Sequence, residues 1–204
     1  VQLDYRRLAT RVAMTRLLHS IATRCDGVRC DMAMLALNAV FDKTWERFPV
    51  SAPPPTSEFW PSAISTTREA HPGFVFLAEA YWGLEGRLRE LGFSYTYDKT
   101  LYDKLVARDG VGVQRHLLGM SAEAVAGSAH FLENHDEPRA AATFPPGQHE
   151  AAAVITYLAP GMRFFHDGQC EGRRKRISPH LVRAPLEPTD AALRTFYDGL
   201  LSVL

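Results

Sequence analysis

The feature that most restricts the fold is a repeated alternation of short apolar runs with longer amphipathic stretches. Five runs stand out, and each ends in polar residues: "GVRCDMAM", "GFVFLAEAYW", "FSYTYD", "SAHFLENHD" and "MRFFHDG". Near-continuous apolar runs are typical of strands that are buried on both faces of a parallel sheet. Strands that alternate with helices build right-handed βαβ units. The sequence therefore predicts an α/β fold with about five parallel strands and flanking helices.

The stretches between the runs predict helices. Residues 6–24 place apolar side chains on one face and arginines on the other, with the apolar set Leu8, Val12, Leu17, Leu18 and Ile21. Further helical patterns cover 33–41, "GLEGRLRELG" closed by Gly92, 101–118 and 149–158. The proline-rich segment "RFPVSAPPPTSE" predicts a long loop, after which Ser57 or Thr56 is expected to cap a helix that begins near Phe59.

The chain ends in one more helical pattern, "TDAALRTFYDGLLSVL". Its expected cap is Thr189 or Asp190. Its expected inward face consists of Leu193, Phe196, Leu200 and Leu201.

Composition excludes several classes of partner. The 204 residues carry 23 basic and 23 acidic side chains, so the formal net charge is zero. This balance argues against a nucleic acid or an anionic membrane surface as the main partner. No apolar run approaches the roughly 18 residues of a membrane span. Three cysteines without a CxxC pair predict neither a disulfide framework nor a zinc site, and they favour a cytoplasmic location. The sequence begins at Val1 rather than Met, and we expect that it lacks its natural beginning.

Polar side chains follow each predicted strand where the strand ends. They are Arg29 and Asp31; Glu79, Tyr81 and Trp82; Tyr97 and Asp98; Asn134, His135 and Asp136; and His166 and Asp167. The carboxyl ends of parallel strands form the active-site edge of α/β folds. We therefore expect the carboxylates Asp31, Glu79 and Asp136 to meet around one sugar-sized hollow.

Such a set suits the hydrolysis of glycosides. A retaining glycosidase needs one carboxylate as nucleophile and a second carboxyl group, about 5 Å away, as acid and then base. Its transition state is cationic at the sugar ring, which further negative charge stabilises. Flanking aromatic side chains suit stacking on sugar faces.

Four motifs resemble the α-amylase family of retaining glycoside hydrolases, in the family's order and over nearly the whole chain. "GVRCD" resembles the nucleophile strand, "FLAEAYW" the strand of the acid/base, "FLENHDEPR" the His-Asp motif of the cleavage subsite, and "PGMRFFHDGQCEG" the last barrel strand. The resemblance implies a (β/α)8 barrel of the TIM type, here a partial one, that acts on α-linked oligo- or polysaccharides.

The resemblance also implies roles for individual residues. Asp31 corresponds to the nucleophile, Glu79 to the general acid/base and Asp136 to the carboxylate that stabilises the transition state. Arg29 would orient the nucleophile. The remaining expected substrate contacts are His135, Asn134, Tyr81, Trp82 and Tyr97.

One departure concerns the positions that follow the nucleophile. Many starch-cleaving members carry Lys-His three and four residues after it, where this chain has Met34 and Leu35. The leaving-group contacts and the carbonyl that helps to hold a structural calcium are therefore in doubt. We expect no cofactor and no metal in this chain, and a structural calcium in the full-length protein stays open. Hydrolysis, transfer and isomerisation also stay open.

A second departure concerns length, because an eight-unit barrel needs about 250 residues. We therefore expect residues 1–204 to be the C-terminal portion of a catalytic barrel whose first three βα units are absent. Its partner would be the missing N-terminal part, and the chain alone would be poorly active.

Two other functions remain open. Three carboxylates at strand ends could bind magnesium in a barrel lyase or isomerase, although Arg29 beside Asp31 opposes a cation there. The second open function is that of a catalytically silent amylase-like scaffold or carbohydrate-binding protein. His166 and Asp167 either lie near the substrate or form a loop pair, and His116 and His180 are expected to be surface or loop residues. Cys30 is expected to pack away from the site.

Overall fold

A computed structural model describes residues 2–48, 55–178, 180 and 183–204. The chain divides into two compact units, Val1–Tyr97 and Asp98–Leu204. Part of the predicted proline-rich loop, residues 49–54, lies outside the described residues.

The first unit contains three parallel strands. They are β1 (Gly27–Cys30), β2 (Val75–Ala78) and β3 (Tyr95–Tyr97), with β2 paired between the other two. The helices are α1 (Leu8–Ala22), α2 (Asn38–Thr44), α3 (Phe59–Ala70) and α4 (Glu85–Glu90), and a 3₁₀ turn covers Ala33–Ala36. The predicted strand–helix alternation is confirmed, but each strand is shorter than its apolar run.

The helix predicted over residues 6–24 is confirmed as α1, and its apolar face is only partly buried. Leu18 is buried, whereas Leu8, Val12 and Leu17 are exposed. Arg11 donates to three acceptors, the carbonyl oxygens of Tyr5 and Ser57 and Oδ1 of Asn38. Polar contacts rather than apolar packing therefore hold this part of the helix.

The predicted start of α3 is confirmed, and its predicted cap is wrong. The helix begins at Phe59, but the residue at the cap position is Glu58, whose carboxylate accepts instead from the backbone N–H of Asn38 at 2.9 Å. The Ser57 carbonyl accepts from Arg11 and Asn38. The segment before α3 is therefore held by long-range contacts rather than by a local cap.

Gly92 ends α4 as predicted. It has φ +109°, which favours glycine because a side chain there is strained. A Cβ at this position would also lie 3.3 Å from the Ile64 side chain. The turn thus brings the chain from α4 directly back to β3.

The second unit contains two parallel strands, β4 (Ser128–His130) and β5 (Met162–Arg163). The helices that flank them are α5 (Lys99–Val106), α6 (Gly110–Gly119), α7 (Ala122–Ala126), α8 (Ala140–Thr143), α9 (Gln148–Leu158) and α10 (Ala191–Leu201). The helical stretch predicted over 101–118 is two helices, because Arg108 adopts φ +58° between them.

The C-terminal helix α10 starts as predicted. The Asp190 carboxylate accepts from the backbone N–H groups of Ala192 and Leu193. Leu193 and Leu200 are buried, whereas Leu201 is exposed, which corrects the predicted inward face. Tyr197 takes the inward position instead, because its hydroxyl bonds to His149 and Gln169 inside the unit.

Within the parts of the chain that the structure describes, no helix combines the length and apolar character needed to cross a membrane.

Candidate active site

Arg29 joins the two carboxylates that the sequence predicts as catalytic in the first unit. Its Nη1 lies 2.7 Å from Oδ2 of Asp31, and its Nη2 lies 2.9 Å from Oε2 of Glu79. Asp31 follows β1 directly and Glu79 follows β2 directly, and the two strands pair in parallel, so both acids lie at the same edge. One guanidinium therefore fixes the relative position of both groups.

Glu79 receives donors from several sides. Its Oε2 also accepts from the backbone N–H of Met32 at 2.7 Å, and its Oε1 accepts from the Tyr81 hydroxyl at 2.9 Å. Met32 adopts the left-handed conformation with φ 42°, which is uncommon for a residue other than glycine. This turn after Asp31 aims the Met32 amide at Glu79.

The two acids differ sharply in solvent access. The Asp31 side chain is 74% exposed, whereas the Glu79 side chain is only 6% exposed. An exposed carboxylate held by one arginine can approach a ligand directly. A buried carboxylate held by several donors has a fixed orientation.

Tyr97 supports Arg29 from the core. Its hydroxyl accepts from Nε of Arg29 at 3.2 Å, and the guanidinium carbon lies 5.7 Å from its ring centre. Burial alone would lower the pKa of Arg29, but the contacts with Tyr97, Asp31 and Glu79 outweigh it and raise that pKa. Tyr97 is 2% exposed, so the structure places it behind Arg29 rather than at an open face.

Trp82 is the aromatic side chain of the β2 loop that faces solvent. It is 64% exposed and adopts φ 65°, followed by Gly83 at φ 72°. Two successive left-handed residues turn the chain sharply after Tyr81. The loop thus presents a large ring close to the Glu79 strand end.

The residues after the predicted nucleophile do not fit a calcium site. Met34 is fully buried in the core, and the Leu35 carbonyl accepts from the Gln2 side-chain amide at 2.9 Å. A hard cation prefers several oxygen ligands, and the buried Met34 side chain offers only a thioether sulfur. We derive no role for calcium from these residues.

In the second unit, Asn134 shapes the loop after β4. Its Oδ1 accepts from the backbone N–H groups of Asp136 at 2.8 Å and Glu137 at 2.9 Å, and its side chain is buried. His135 Nε2 lies 3.1 Å from Oδ2 of Asp136, and both side chains reach solvent. The loop therefore presents His135 and Asp136 outward and keeps Asn134 inside.

Sequence reasoning missed a buried cluster around Asp98. Its carboxylate lies 2.8 Å from Nε2 of His116 and 3.2 Å from Nδ1 of His130, and it accepts from the Leu101 backbone N–H. Burial would raise the pKa of Asp98, but these hydrogen bonds and charges lower it below the usual value of 3.8. The prediction of His116 as a surface or loop residue is wrong, because it lies in α6, bonds to Asp98 and is mostly buried.

A second missed pair is Glu133 with Arg139. Both are buried, and Arg139 contacts the His166 ring and the Asp167 carbonyl in the loop after β5. A buried arginine thus contacts both His166 and Asp167. The sequence did contain a signal for this pair, because Glu133 and Arg139 stand directly before and after the "NHDEP" segment. The other polar residues of the segment made the two look like ordinary loop residues.

Comparison with solved structures gives the fold. An α-amylase from Lactobacillus plantarum is 22% identical with a TM-score of 0.61, over 87% of this chain and 43% of that one. A maltogenic α-amylase from Thermotoga neapolitana is 18% identical with a TM-score of 0.69, over 96% and 43%. A debranching enzyme from Nostoc punctiforme is 13% identical with a TM-score of 0.75, over 98% and 44%.

The chain therefore has the fold of part of an α-amylase-type (β/α)8 barrel, and the predicted fold class is confirmed. It spans less than half the length of these three structures. Neither the protein-family models nor the curated proteins compared with the sequence give a match. The fold alone does not assign the catalytic residues, so their roles stay predictions.

Proposed function

We propose that this chain is part of the catalytic domain of a retaining glycoside hydrolase or transglycosidase that acts on α-linked glucans. The observation that carries the proposal is the contact of one guanidinium, that of Arg29, with Asp31 and Glu79 at neighbouring strand ends. A retaining mechanism requires two carboxyl groups about 5 Å apart, a spacing that a shared guanidinium favours. The similar structures are amylases and a debranching enzyme, which supports an α-glucan substrate.

The proposed mechanism is a double displacement. Asp31, the exposed acid, attacks the anomeric carbon while Glu79 protonates the departing glycosidic oxygen. A water or a sugar hydroxyl then gives its proton to Glu79 and attacks the glycosyl–Asp31 ester, which restores the free carboxylate. Asp136 and His135 hold ring hydroxyls, and Asp136 adds negative charge that favours the cationic transition state.

Tyr81 gives Glu79 a way to change its proton state without losing its position. Glu79 Oε2 is fixed by Arg29 and the Met32 amide, so Oε1 is the oxygen that carries the catalytic proton. The Tyr81 hydroxyl donates to Oε1 when Glu79 is ionised, and a hydroxyl can turn to accept when Oε1 is protonated.

We further propose that residues 1–204 need an N-terminal part of the same barrel for full activity. β1 pairs with β2 and is the first strand in the sheet order, and a cleft of about 660 Å3 with a mostly apolar lining includes residues of β1 and α1. An apolar surface beside a strand edge favours association with further strands. The expected result is low activity of the chain alone and full activity with the N-terminal part, and a fully active isolated chain would contradict this proposal.

Covalent labelling tests the proposed mechanism. The full-length protein is incubated with a fluorinated glucosyl fluoride, which slows breakdown of the glycosyl-enzyme, and the labelled peptide is mapped by mass spectrometry. We expect the label on Asp31 and its loss in Asp31→Asn. The matched control is Asp26→Asn at the other end of β1, which should still be labelled.

The remaining outcomes separate the alternatives. Turnover without any label, or a label on a different carboxylate, would contradict the assigned nucleophile. No turnover and no label, with maltooligosaccharide binding retained, would indicate a silent carbohydrate-binding protein. Turnover that EDTA abolishes would indicate a metal-dependent lyase or isomerase.

A further inference from the structure

The loop after β4 is held by a buried ion pair that the proposed mechanism does not use. Nη1 of Arg139 lies 2.8 Å from Oε1 of Glu133, and the two side chains are 2% and 1% exposed. These residues stand on either side of Asn134, His135 and Asp136. The pair therefore closes the base of the loop that presents the proposed sugar contacts.

Each partner makes a second contact that fixes its direction. Oε2 of Glu133 accepts from the Ala140 backbone N–H at 2.6 Å, at the start of α8. Nη2 of Arg139 donates to the Asp167 carbonyl at 2.7 Å, and its Nη1 contacts the His166 ring. The guanidinium thus ties the β4 loop to the β5 loop. A planar group with several N–H donors can do this, whereas an ammonium group cannot keep all of these directions.

The backbone between Glu133 and Arg139 forms a turn that Asn134 stabilises. The Asn134 side chain accepts from the Asp136 and Glu137 amides, which turns the chain between the two ends that Glu133 and Arg139 hold. Asp136 lies within this turn, and its carboxylate is partly exposed to solvent beside His135. A shift at the base would therefore move the Asp136 carboxylate.

Stability does not explain why this pair is charged. Removing two ions from water is costly, and apolar side chains of similar volume often replace such a pair without loss of stability. What apolar side chains cannot supply is the directed contact with the Asp167 carbonyl and the Ala140 amide.

We propose that Glu133 and Arg139 are a positioning pair that sets the Asp136 carboxylate for sugar binding. They act through the loop and do not touch the sugar. This proposal rests on the proposed function for its substrate class, an α-linked glucan, but the geometry of the loop can be measured without any sugar.

The experiment compares single and double variants of the full-length protein. Glu133→Leu and Arg139→Met alone should be unstable, because each leaves a buried charge without its partner. The double variant Glu133→Leu/Arg139→Met should regain a melting temperature close to that of the wild type. In this double variant we expect the KM for maltooligosaccharides to rise about tenfold or more. The Asp136 and Glu137 amides should exchange with solvent at least about tenfold faster.

The matched control is the partly exposed ion pair of Arg194 with Glu171, joined at 2.8 Å in the same unit. Glu171→Leu/Arg194→Met should change neither the KM nor the exchange of the two loop amides. If the double core variant does not fold, Arg139→Lys takes its place, because it keeps the charge and loses the directed contacts; it should show the same faster exchange.

Wild-type exchange at Asp136 and Glu137 in a folded double variant, or in Arg139→Lys, would overturn the positioning role. An unchanged KM together with faster exchange would also overturn it, because the loop would then move without consequence for the sugar. If the full-length protein has no glucan activity, the proposed function fails, and the exchange measurement still decides whether the pair sets the loop.

Discussion

Replacing Asp98 with Ala should destabilise the protein far more than the loss of a helix cap does. The Asp98 carboxylate caps α5 through the Leu101 amide and also contacts His116 and His130. Nε2 of His130 lies 2.9 Å from the Pro160 carbonyl, so this nitrogen must carry a hydrogen. Its Nδ1 faces Asp98, and both ring nitrogens therefore face acceptors.

The magnitude follows from these contacts. Loss of a cap costs about 1 kcal/mol in the free energy of unfolding. Removing one partner of a buried charged pair costs about 3–5 kcal/mol, because the other partner is left without compensation. His130 is fully buried, so solvent cannot replace the lost carboxylate. We expect Asp98→Ala to cost at least about 3 kcal/mol in total.

Asp109 is the matched control, because it caps α6 through the Gly112 amide in the same unit and is exposed. Asp109→Ala should cost about 1 kcal/mol. Urea denaturation at pH 6, followed by circular dichroism, gives both values. Equal losses in the two variants would refute the reasoning, because the histidine contacts would then add nothing to the cap.

The Asp98 carboxylate also predicts that the free energy of unfolding falls at low pH. The pKa of Asp98 is lowered below 3.8 in the folded state, since the contact with His130 and the Leu101 amide outweighs burial. The unfolded chain therefore takes up this proton first as the pH falls, so the stabilisation is present above about pH 4 and is lost below it. Asp98→Asn should show a shallower fall in the free energy of unfolding between about pH 4 and pH 2 than the wild type does. Parallel curves would contradict this assignment.

Two further predictions concern the active site and the fold. Arg29→Lys should lower kcat/KM of the full-length protein by at least about tenfold, because an ammonium cannot contact Asp31 and Glu79 in two fixed directions; full activity would contradict the bridging role. Gly161→Ala should cost about 2 kcal/mol or more, measured by thermal unfolding, because φ is +121° and a Cβ would lie 2.4 Å from the Ser128 carbonyl oxygen; Gly119→Ala, with open space around it, should cost less than about 1 kcal/mol.

The sequence was sufficient for the order of the elements, because apolar runs and helical patterns are local signals. It was insufficient where long-range contacts decide. Arg11 of α1 donates to acceptors on other segments, and periodicity alone could not show that Leu8 and Val12 of the apolar face are exposed. The cap of α3 was likewise misassigned because Glu58 bonds to the distant Asn38.

The candidate site likewise has one part that local sequence signals predict and another that depends on contacts they do not show. The position of Asp31 and Glu79 at the ends of β1 and β2 followed from the strand pattern, and the resemblance supplied their roles. The donors that hold Glu79, above all the Met32 amide, could not be predicted, because they depend on a left-handed residue that the sequence does not mark. The burial of Tyr97 was hidden for a similar reason, since an aromatic residue at a strand end fits either a core or a surface.

Buried acids at or just beyond the strand ends share one arrangement in both units. Glu79 is compensated by Arg29, Asp98 by His116 and His130, and Glu133 by Arg139. Every one of these acids also accepts a backbone N–H, from Met32, Leu101 and Ala140 respectively. Buried pairs of this kind add little net stability over apolar side chains, so stability alone gives no reason to place three of them beyond the strands. Directed contacts do give a reason, because each acid holds its side-chain partners and a backbone turn in one orientation beyond the strand that precedes it. Each unit therefore fixes its own strand ends in the same physical way, although only one of the three acids was predicted to take part in catalysis.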